Sequence, residues 1–207
     1  MLIELSALGW GEMTNRGEFP PRRLPWAMDN GAFADWRAER PFDAEQFRGE
    51  VAKFRDSDIS APDFLVVPDL VAGGMDSLEF SLSWVKELQG VAPLYLAVQD
   101  GMGAYSVAPH IAQFDGVFIG GTLKWKMRTG EEWVAFAHHY GKPCHIGRVG
   151  TANRALWAME IAADSIDSCV PLWSFDNLRV FKAAIDCGQL VLWPKPKTPL
   201  LRELEAS

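Results

Sequence analysis

The stretch of sequence that decides the fold is FLVVPD at residues 64–69, which is followed by a helix-like segment at residues 76–89 and by LYLAVQ at residues 94–99. Each apolar run has the length of a buried strand, and the segment between them repeats its apolar residues at steps of three and four, as a helix does. A strand, a helix and a second strand in this order predict a βαβ unit with parallel strands and a right-handed crossover.

Strand-like and helix-like segments alternate along the rest of the chain as well. The alternation predicts an α/β protein, and 207 residues fit a single domain at residues 1–207. A loop is predicted at residues 9–23, which contain several Pro and Gly and no helical period. The predicted strands are residues 2–8, 24–29, 64–69, 94–99, 117–121, 144–149, 164–169 and 190–193, and the predicted helices are residues 43–55, 76–89, 104–114, 130–140, 151–163 and 176–187.

The residues that close the predicted strands favour one α/β architecture over another. The carboxyl ends of parallel strands in a (β/α) barrel converge on one mouth, whereas an open doubly wound sheet binds its ligand at a single switch point. Polar residues close nearly every middle strand, so we expect a compact (β/α)8 TIM-like barrel with its site at the mouth. The closing residues are Asp29, Asp69, Gln99, Gly121, Arg148 and Asp167.

The composition argues against several classes of protein. Hydrophobic residues make up 48% and charged residues 23%, which indicates neither disorder nor a membrane protein, and no apolar run reaches the roughly 18 residues that span a bilayer. The amino terminus lacks the pattern of a secretory signal, so we expect a cytoplasmic protein. The three cysteines form no CxxC pair, and we expect no metal or other cofactor.

The net charge of −7 argues against a protein that coats nucleic acid through long-range attraction. It leaves open a local basic track that contacts phosphates, although surface charge with no partner is the simpler reading of each cation taken singly. The residues of this predicted basic track are Lys124, Lys126, Arg128, Arg148 and Arg154.

Four short motifs could each serve in catalysis or binding, and each also has a purely structural interpretation. DNGAF at residues 29–33 places an acid four residues before an aromatic ring, although Asn-Gly turns are commonly structural because both residues accept a positive φ. The pair Gly120-Gly121 lets either a flat molecule or a helix approach the backbone. GRVG at residues 147–150 opens a helix, where N–H groups and the arginine can hold an anion. The two aspartates of DSID at residues 164–167 point to opposite faces of a strand, so at most one faces the mouth.

In this order, the segments resemble the tRNA-guanine transglycosylase superfamily, including its compact relatives that insert 7-deazaguanines into DNA. The resemblance covers roughly residues 28–169. The motifs that carry it are DNGAF at 29–33, similar to the family's Asp-Ser-Gly-Gly-Tyr turn; VPD at 67–69, similar to its guanine-reading strand; VQDG at 98–101 and IGG at 119–121, similar to its Gln-Gly and Gly-Gly segments; GRVGT at 147–151, similar to its Gly-Val-Gly-Thr turn; and DSIDSC at 164–169, similar to its Asp-Met-Phe-Asp-Cys run.

The resemblance implies a role for each matching residue. Asp167 matches the nucleophile and Asp29 the acid/base residue, while Asp69 matches the aspartate that reads the guanine edge. The remaining residues that the resemblance places against the substrate are Phe33, which stacks on the base, and Asn30, Gln99, Gly120, Gly121, Gly147 and Arg148.

The implied reaction replaces guanine with a 7-deazaguanine base of the preQ0 type by double displacement. No Cys-rich segment follows Asp167, whereas tRNA-modifying members carry a zinc subdomain there, so DNA is favoured over tRNA as the partner and no zinc is expected. The oligomeric state stays open. The alternatives are a tRNA-guanine transglycosylase, a barrel enzyme that processes nucleosides or sugar phosphates, and a non-catalytic base-binding subunit.

Overall fold

The computed structural model describes residues 10–18, 24–56 and 58–189 of the chain. In this part the backbone forms one parallel sheet of seven strands, in which each strand pairs with the next one along the chain. In chain order the strands are β1 (Glu12–Thr14), β2 (Trp26–Met28), β3 (Phe64–Val66), β4 (Leu94–Val98), β5 (Gly116–Ile119), β6 (Cys144–Ile146) and β7 (Ser165–Ile166).

Helices make most of the crossovers that parallel pairing requires. Three of them begin at a side-chain cap: Asp43 accepts a hydrogen bond from the Gln46 N–H group, Thr122 from the Trp125 N–H group and Thr151 from the Arg154 N–H group. The helices are α1 (Ala32–Arg37), α2 (Ala44–Arg55), α3 (Gly74–Leu88), α4 (Ala104–Val107), α5 (Leu123–His139), α6 (Ala152–Glu160) and α7 (Phe175–Gln189), with short 3-10 turns at Ile111–Gln113 and Val170–Leu172.

The sheet separates two hydrophobic clusters because successive side chains of a strand point to opposite faces. In β4, Leu94, Leu96 and Val98 belong to the large cluster that packs against the helices, whereas Tyr95 and Ala97 belong to a smaller inner cluster. The residues of β2, β3 and β5 alternate between the two clusters in the same way. The same alternation determines whether a residue just beyond the end of a strand faces the interior or the helices.

Aromatic rings fill the inner face of the sheet. Phe64 stacks on Tyr95 with ring centroids 4.1 Å apart, and Phe118 stacks on His145 with centroids 5.1 Å apart. Small side chains such as Ala27 complete this inner cluster. The interior therefore presents flat, mostly apolar walls to the cleft at the carboxyl ends of the strands.

The α/β prediction is confirmed, and the seven strands curl into a half-barrel. Among the described residues no pairing joins β1 to β7, so a closed eight-stranded barrel is not shown. The strands predicted at residues 2–8 and 190–193 lie outside the described residues. In the part of the chain that the structure covers, no helix is long and apolar enough to cross a membrane.

The loop predicted at residues 9–23 is wrong at Glu12–Thr14, because this segment pairs with Trp26–Met28 as the edge strand β1. A strand of three residues among glycines and prolines carries too short a pattern to be recognised by alternation.

The helix predicted at residues 130–140 begins instead at Leu123, after the Thr122 cap. Gly130 lies inside this helix and does not break it. A Cβ atom at this position would come within 2.7 Å of the Trp157 ring, so the glycine allows the helix to pack closely against Trp157. The helix predicted at residues 104–114 divides into α4 and the turn Ile111–Gln113.

Candidate active site

Three aspartates that lie beyond the carboxyl ends of β2, β3 and β7 line one cleft. Asp29 and Asp167 come directly after β2 and β7, and the alternation of these strands turns both side chains to the inner face. Asp69 follows β3. Asp164 lies at the opposite end of β7, where it accepts a hydrogen bond of 2.7 Å from the Cys144 N–H group. One of the two aspartates in residues 164–167 thus reaches this end of the sheet, as their spacing predicts.

Two amide side chains hold Asp69. Asn30 Nδ2 donates to Asp69 Oδ1 at 2.8 Å, and Gln99 Nε2 donates to Asp69 Oδ2 at 3.0 Å. Burial raises the pKa of Asp69 to about 6, and the negative charge of Asp29 adds to this, while the two hydrogen bonds and the Arg148 charge oppose it. At neutral pH the Asp69 carboxylate is therefore mostly ionised, and each of its oxygens keeps lone pairs for a further donor.

The side-chain amides of Asn30 and Gln99 form several hydrogen bonds with other groups of the protein. Asn30 also donates to the Val67 carbonyl at 2.8 Å and accepts from the Ala32 N–H group at 2.7 Å. The Gln99 Oε1 atom accepts from the Ala72 N–H group at 2.6 Å, and its Nε2 atom also contacts Leu70 and Ser77. These contacts orient both amides toward Asp69, and direct contact of either amide with a base stays a prediction.

The carboxyl groups of Asp29 and Asp167 are electrostatically coupled, and their pKa values move in opposite directions. Burial, and then the negative charge of Asp167, raise the pKa of Asp29 above its usual value. Burial also acts to raise the pKa of Asp167, but His145, the Arg148 N–H group and the Lys126 charge outweigh it, and the net shift is downward. One carboxyl is thus favoured as an acid and its neighbour as an anion, the division that acid and nucleophile pairs use.

His145 lies between Asp167 and Ser165. Its Nε2 atom is 3.1 Å from Asp167 Oδ1, and its Nδ1 atom is 2.7 Å from Ser165 Oγ. Since an ionised carboxylate only accepts hydrogen bonds, Nε2 carries a proton and donates it toward Asp167, while Nδ1 shares a hydrogen bond with the Ser165 hydroxyl. Stacking on Phe118 fixes the plane of the ring.

The sequence motifs assigned no role to His145, although a signal for it was present. Cys144 and Ile146, the neighbours of His145, are both buried in the large cluster that packs against the helices. Strand alternation therefore places the His145 side chain on the inner face of the sheet. Its partners were not readable, because the register of β6 against β7, which pairs His145 with Ser165, is a tertiary feature.

Arg148 contacts both Asp167, the candidate nucleophile, and the aromatic ring of Phe33. Its N–H group donates to Asp167 Oδ1 at 3.0 Å, its guanidinium donates to the Gly121 carbonyl at 3.0 Å, and its Cζ atom lies 4.2 Å from the centre of the Phe33 ring. The backbone of Arg148 has a φ of +58°, a conformation that costs a residue with a Cβ about 1–2 kcal/mol. The three contacts hold Arg148 in this conformation.

The glycines of the site differ in what they expose. The Gly120 N–H group donates to the Val98 carbonyl at 2.9 Å, so it is not free for a ligand. Gly121 has a φ of +69°, and its N–H group has no acceptor among the described residues, which leaves it available to a base oxygen. Gly147 is buried against the Phe118 ring, where a Cβ atom would clash, so it permits close packing.

Two cavities meet at Arg148. The inner cleft has a volume of about 1390 Å³ and contains the three aspartates, His145 and the inner aromatic rings. A smaller outer pocket of about 300 Å³ lies beside it and is lined by Phe33, Trp36 and cationic side chains. Phe33, Gly121 and Arg148 line both cavities.

The predicted basic track is only partly a surface feature. Lys124, Arg128 and Arg148 are exposed and Arg154 is half-buried. Lys126 is 5% exposed and donates to the Gly147 carbonyl, and burial, with the nearby Arg148 charge, lowers its pKa to about 8. The prediction that Lys126 contacts phosphate at the surface is therefore wrong. Its buried side chain stabilises the turn at Gly147.

Within residues 10–18, 24–56 and 58–189, no group of three His, Cys, Asp or Glu side chains could hold a metal ion. A scan against protein-family models finds no matching family, and a search of curated proteins finds no matching relative. Function is therefore inferred from the geometry of the cleft together with the order of the motifs.

Proposed function

We propose that the protein is a base-exchange transglycosylase that replaces guanine in DNA with a 7-deazaguanine base by double displacement, on a compact barrel of the (β/α)8 type. The observation that carries the proposal is the pair Asp29 and Asp167, two coupled carboxyl groups in one cleft whose pKa values shift in opposite directions. The identity of the base and of the polymer comes from the motif resemblance.

Asp167 supplies the nucleophile in this mechanism. Its carboxylate attacks C1′ of the target nucleotide, the bond between C1′ and the guanine nitrogen breaks, and a covalent sugar–aspartyl ester forms. The hydrogen bonds from His145 and from the Arg148 N–H group keep the carboxylate ionised and oriented before the attack. Two successive displacements return the sugar to its original configuration.

Asp29 moves the proton that the exchange requires. Its raised pKa favours the protonated acid, which donates to the departing guanine as the glycosidic bond breaks. The resulting Asp29 carboxylate then accepts a proton from the incoming 7-deazaguanine base, whose nitrogen attacks C1′ and releases Asp167. The protonation states of both aspartates at the end of the cycle equal those at its start.

Asp69 supplies selectivity for a guanine edge. An ionised carboxylate accepts from the N1–H group and the exocyclic amine of guanine together, and the free Gly121 N–H group suits the O6 oxygen. Adenine presents an acceptor at N1, which faces the carboxylate unfavourably, so adenine is rejected. In a duplex the target nucleotide has to leave the base stack before it reaches this cleft.

The test measures transfer of label. Labelled guanine or 7-deazaguanine is offered to duplex DNA, single-stranded DNA and tRNA in separate reactions with the wild type, Asp167→Asn and the matched surface control Asp176→Asn. We expect label in DNA with the wild type and the control, and none with Asp167→Asn. Label in tRNA alone would replace DNA by tRNA as the substrate.

Two further results would reject the proposal. Label in no polymer, together with turnover of free nucleosides or sugar phosphates, would assign the cleft to a small-molecule enzyme. Base binding without any turnover would leave a non-catalytic binding protein. A mass adduct on the denatured wild type that persists in Asp167→Asn would remove Asp167 from the nucleophile position.

A further inference from the structure

The outer pocket carries an aromatic and cationic stack whose outermost ring, Trp36, has no role in the exchange chemistry. Phe33 and Trp36 are three residues apart on α1, so their side chains share one face of the helix, and their ring centroids are 5.7 Å apart at an interplanar angle of 26°. Arg148 lies over the same Phe33 ring. Trp36 remains 52% exposed, which makes it an open aromatic surface at the outer end of the stack.

The charges of the outer pocket favour an anion. Its lining includes the cations Lys126, Arg148 and Arg154 and one acid, Asp100. Asp100 is already engaged, because its two oxygens accept from the Thr122 N–H group at 2.7 Å and from the Thr122 hydroxyl at 2.8 Å. Among the described residues the Arg154 guanidinium has no hydrogen-bond or ion-pair partner. The outer pocket is therefore locally cationic, although the whole chain has a net charge of −7.

We propose that the outer pocket binds the DNA nucleotide adjacent to the exchanged one, with its base stacked on Trp36 and its phosphodiester held by Arg148 and Arg154. This inference rests on the proposed function and extends it to a second nucleotide. An exposed aromatic face beside cations is the combination that single-stranded nucleic-acid sites use. A volume of about 300 Å³ has room for one nucleotide.

The position of Arg148 explains why the adjacent nucleotide is the occupant. Its N–H group touches Asp167, the residue that attacks the sugar, while its side chain lines the outer pocket. A phosphate bonded to that sugar therefore emerges beside Arg148. The guanidinium covers the Phe33 ring, so movement of Arg148 onto the phosphate uncovers the ring for the exchanged base.

The test compares oligonucleotide binding with base binding. Fluorescence anisotropy measures the Kd of a labelled single-stranded DNA 12-mer with one central guanine, and calorimetry measures the Kd of free 7-deazaguanine. We expect Trp36→Ala to weaken 12-mer binding about 5- to 150-fold, the effect of about 1–3 kcal/mol per stacked base, without changing the Kd of the free base. Trp36→Phe keeps an aromatic face and should restore most of the affinity.

Arg154→Gln provides an independent measurement, because it removes a phosphate contact without touching the aromatic stack. We expect it to weaken 12-mer binding and to lower the slope of log Kd against log salt concentration by about 0.7, the value for one phosphate contact on a single strand. The matched control is Tyr105→Ala, since Tyr105 is 94% exposed and lines neither cavity. This control should change neither Kd.

The outcomes separate this inference from the proposed function. If the wild type exchanges base into DNA but Trp36→Ala and Arg154→Gln bind the 12-mer as the wild type does, the outer pocket is not a nucleotide site and the exchange function stands. If both variants lose 12-mer affinity while no polymer accepts label, the pocket inference stands and the exchange function fails. The same measurement is made with an RNA 12-mer of the same sequence, and tighter, Trp36-dependent binding of this RNA would overturn the choice of DNA.

Discussion

Replacement of His145 by phenylalanine tests whether the imidazole positions the nucleophile. Phenylalanine keeps a flat ring between its neighbours, so the stack on Phe118 survives, and only the two hydrogen bonds are lost. The Asp167 carboxylate is 23% exposed, so water can replace the missing donor. We therefore expect the variant to fold, with a free energy of unfolding that falls by about 1.5–3 kcal/mol, the contribution of a hydrogen bond to a charged group.

The magnitude of the effect on catalysis follows from the lost bond of 3.1 Å between His145 Nε2 and Asp167 Oδ1. A hydrogen bond to a charged group contributes about 1.5–3 kcal/mol. Because the hydrogen bond from His145 is one of the causes that lower the pKa of Asp167, its loss raises that pKa. Because the same bond orients the attacking carboxylate, its loss should lower kcat about 10- to 100-fold. Because His145 touches no base-reading residue, the KM for the incoming base should stay unchanged.

The assay is single-turnover formation of the covalent sugar–protein adduct, measured from about pH 4 to pH 9. His145→Phe should move the acid limb of the rate profile to higher pH, with a lower plateau. His145→Gln offers an amide donor in place of Nε2 and should recover part of the plateau. A His145→Phe variant with the wild-type plateau and an unshifted acid limb would refute the positioning role.

Three further predictions concern the other acids and the cofactor requirement. Asp29→Asn should slow exchange about 10²–10⁴-fold at unchanged fold, measured by label transfer, and a smaller loss would assign the proton to another group. Because burial raises the pKa of Asp69 from 3.8 to about 6, the stability that this group contributes is present below about pH 4 and lost as the pH rises through 6. Wild-type stability relative to Asp69→Asn should therefore fall by up to about 3 kcal/mol between pH 4 and pH 7 in urea titrations, and Asp69→Asn should also weaken guanine binding in calorimetry. Exchange should survive chelator treatment, and stoichiometric zinc in elemental analysis would contradict this expectation.

The α/β class and the positions of Asp29, Asp69 and Asp167 beyond the carboxyl ends of their strands were readable from the sequence, because both depend on local periodicity. Strand alternation predicts that Asp164 and Asp167 point to opposite faces, so that at most one of them lies at the mouth, and the same alternation turns His145 inward between two buried neighbours. Regular apolar steps likewise locate α2 and α3 within a residue or two of their observed bounds.

Only the tertiary structure decided how these residues meet. The amides of Asn30 and Gln99 converge on Asp69 from different segments, and the pairing of β6 with β7 places His145 beside Ser165. The burial of Lys126 follows from how α5 packs on the sheet, which no pattern along one helix specifies. Periodicity reports which side of a strand or helix is buried, whereas pKa shifts, stacks and pockets depend on distances between segments far apart in the chain.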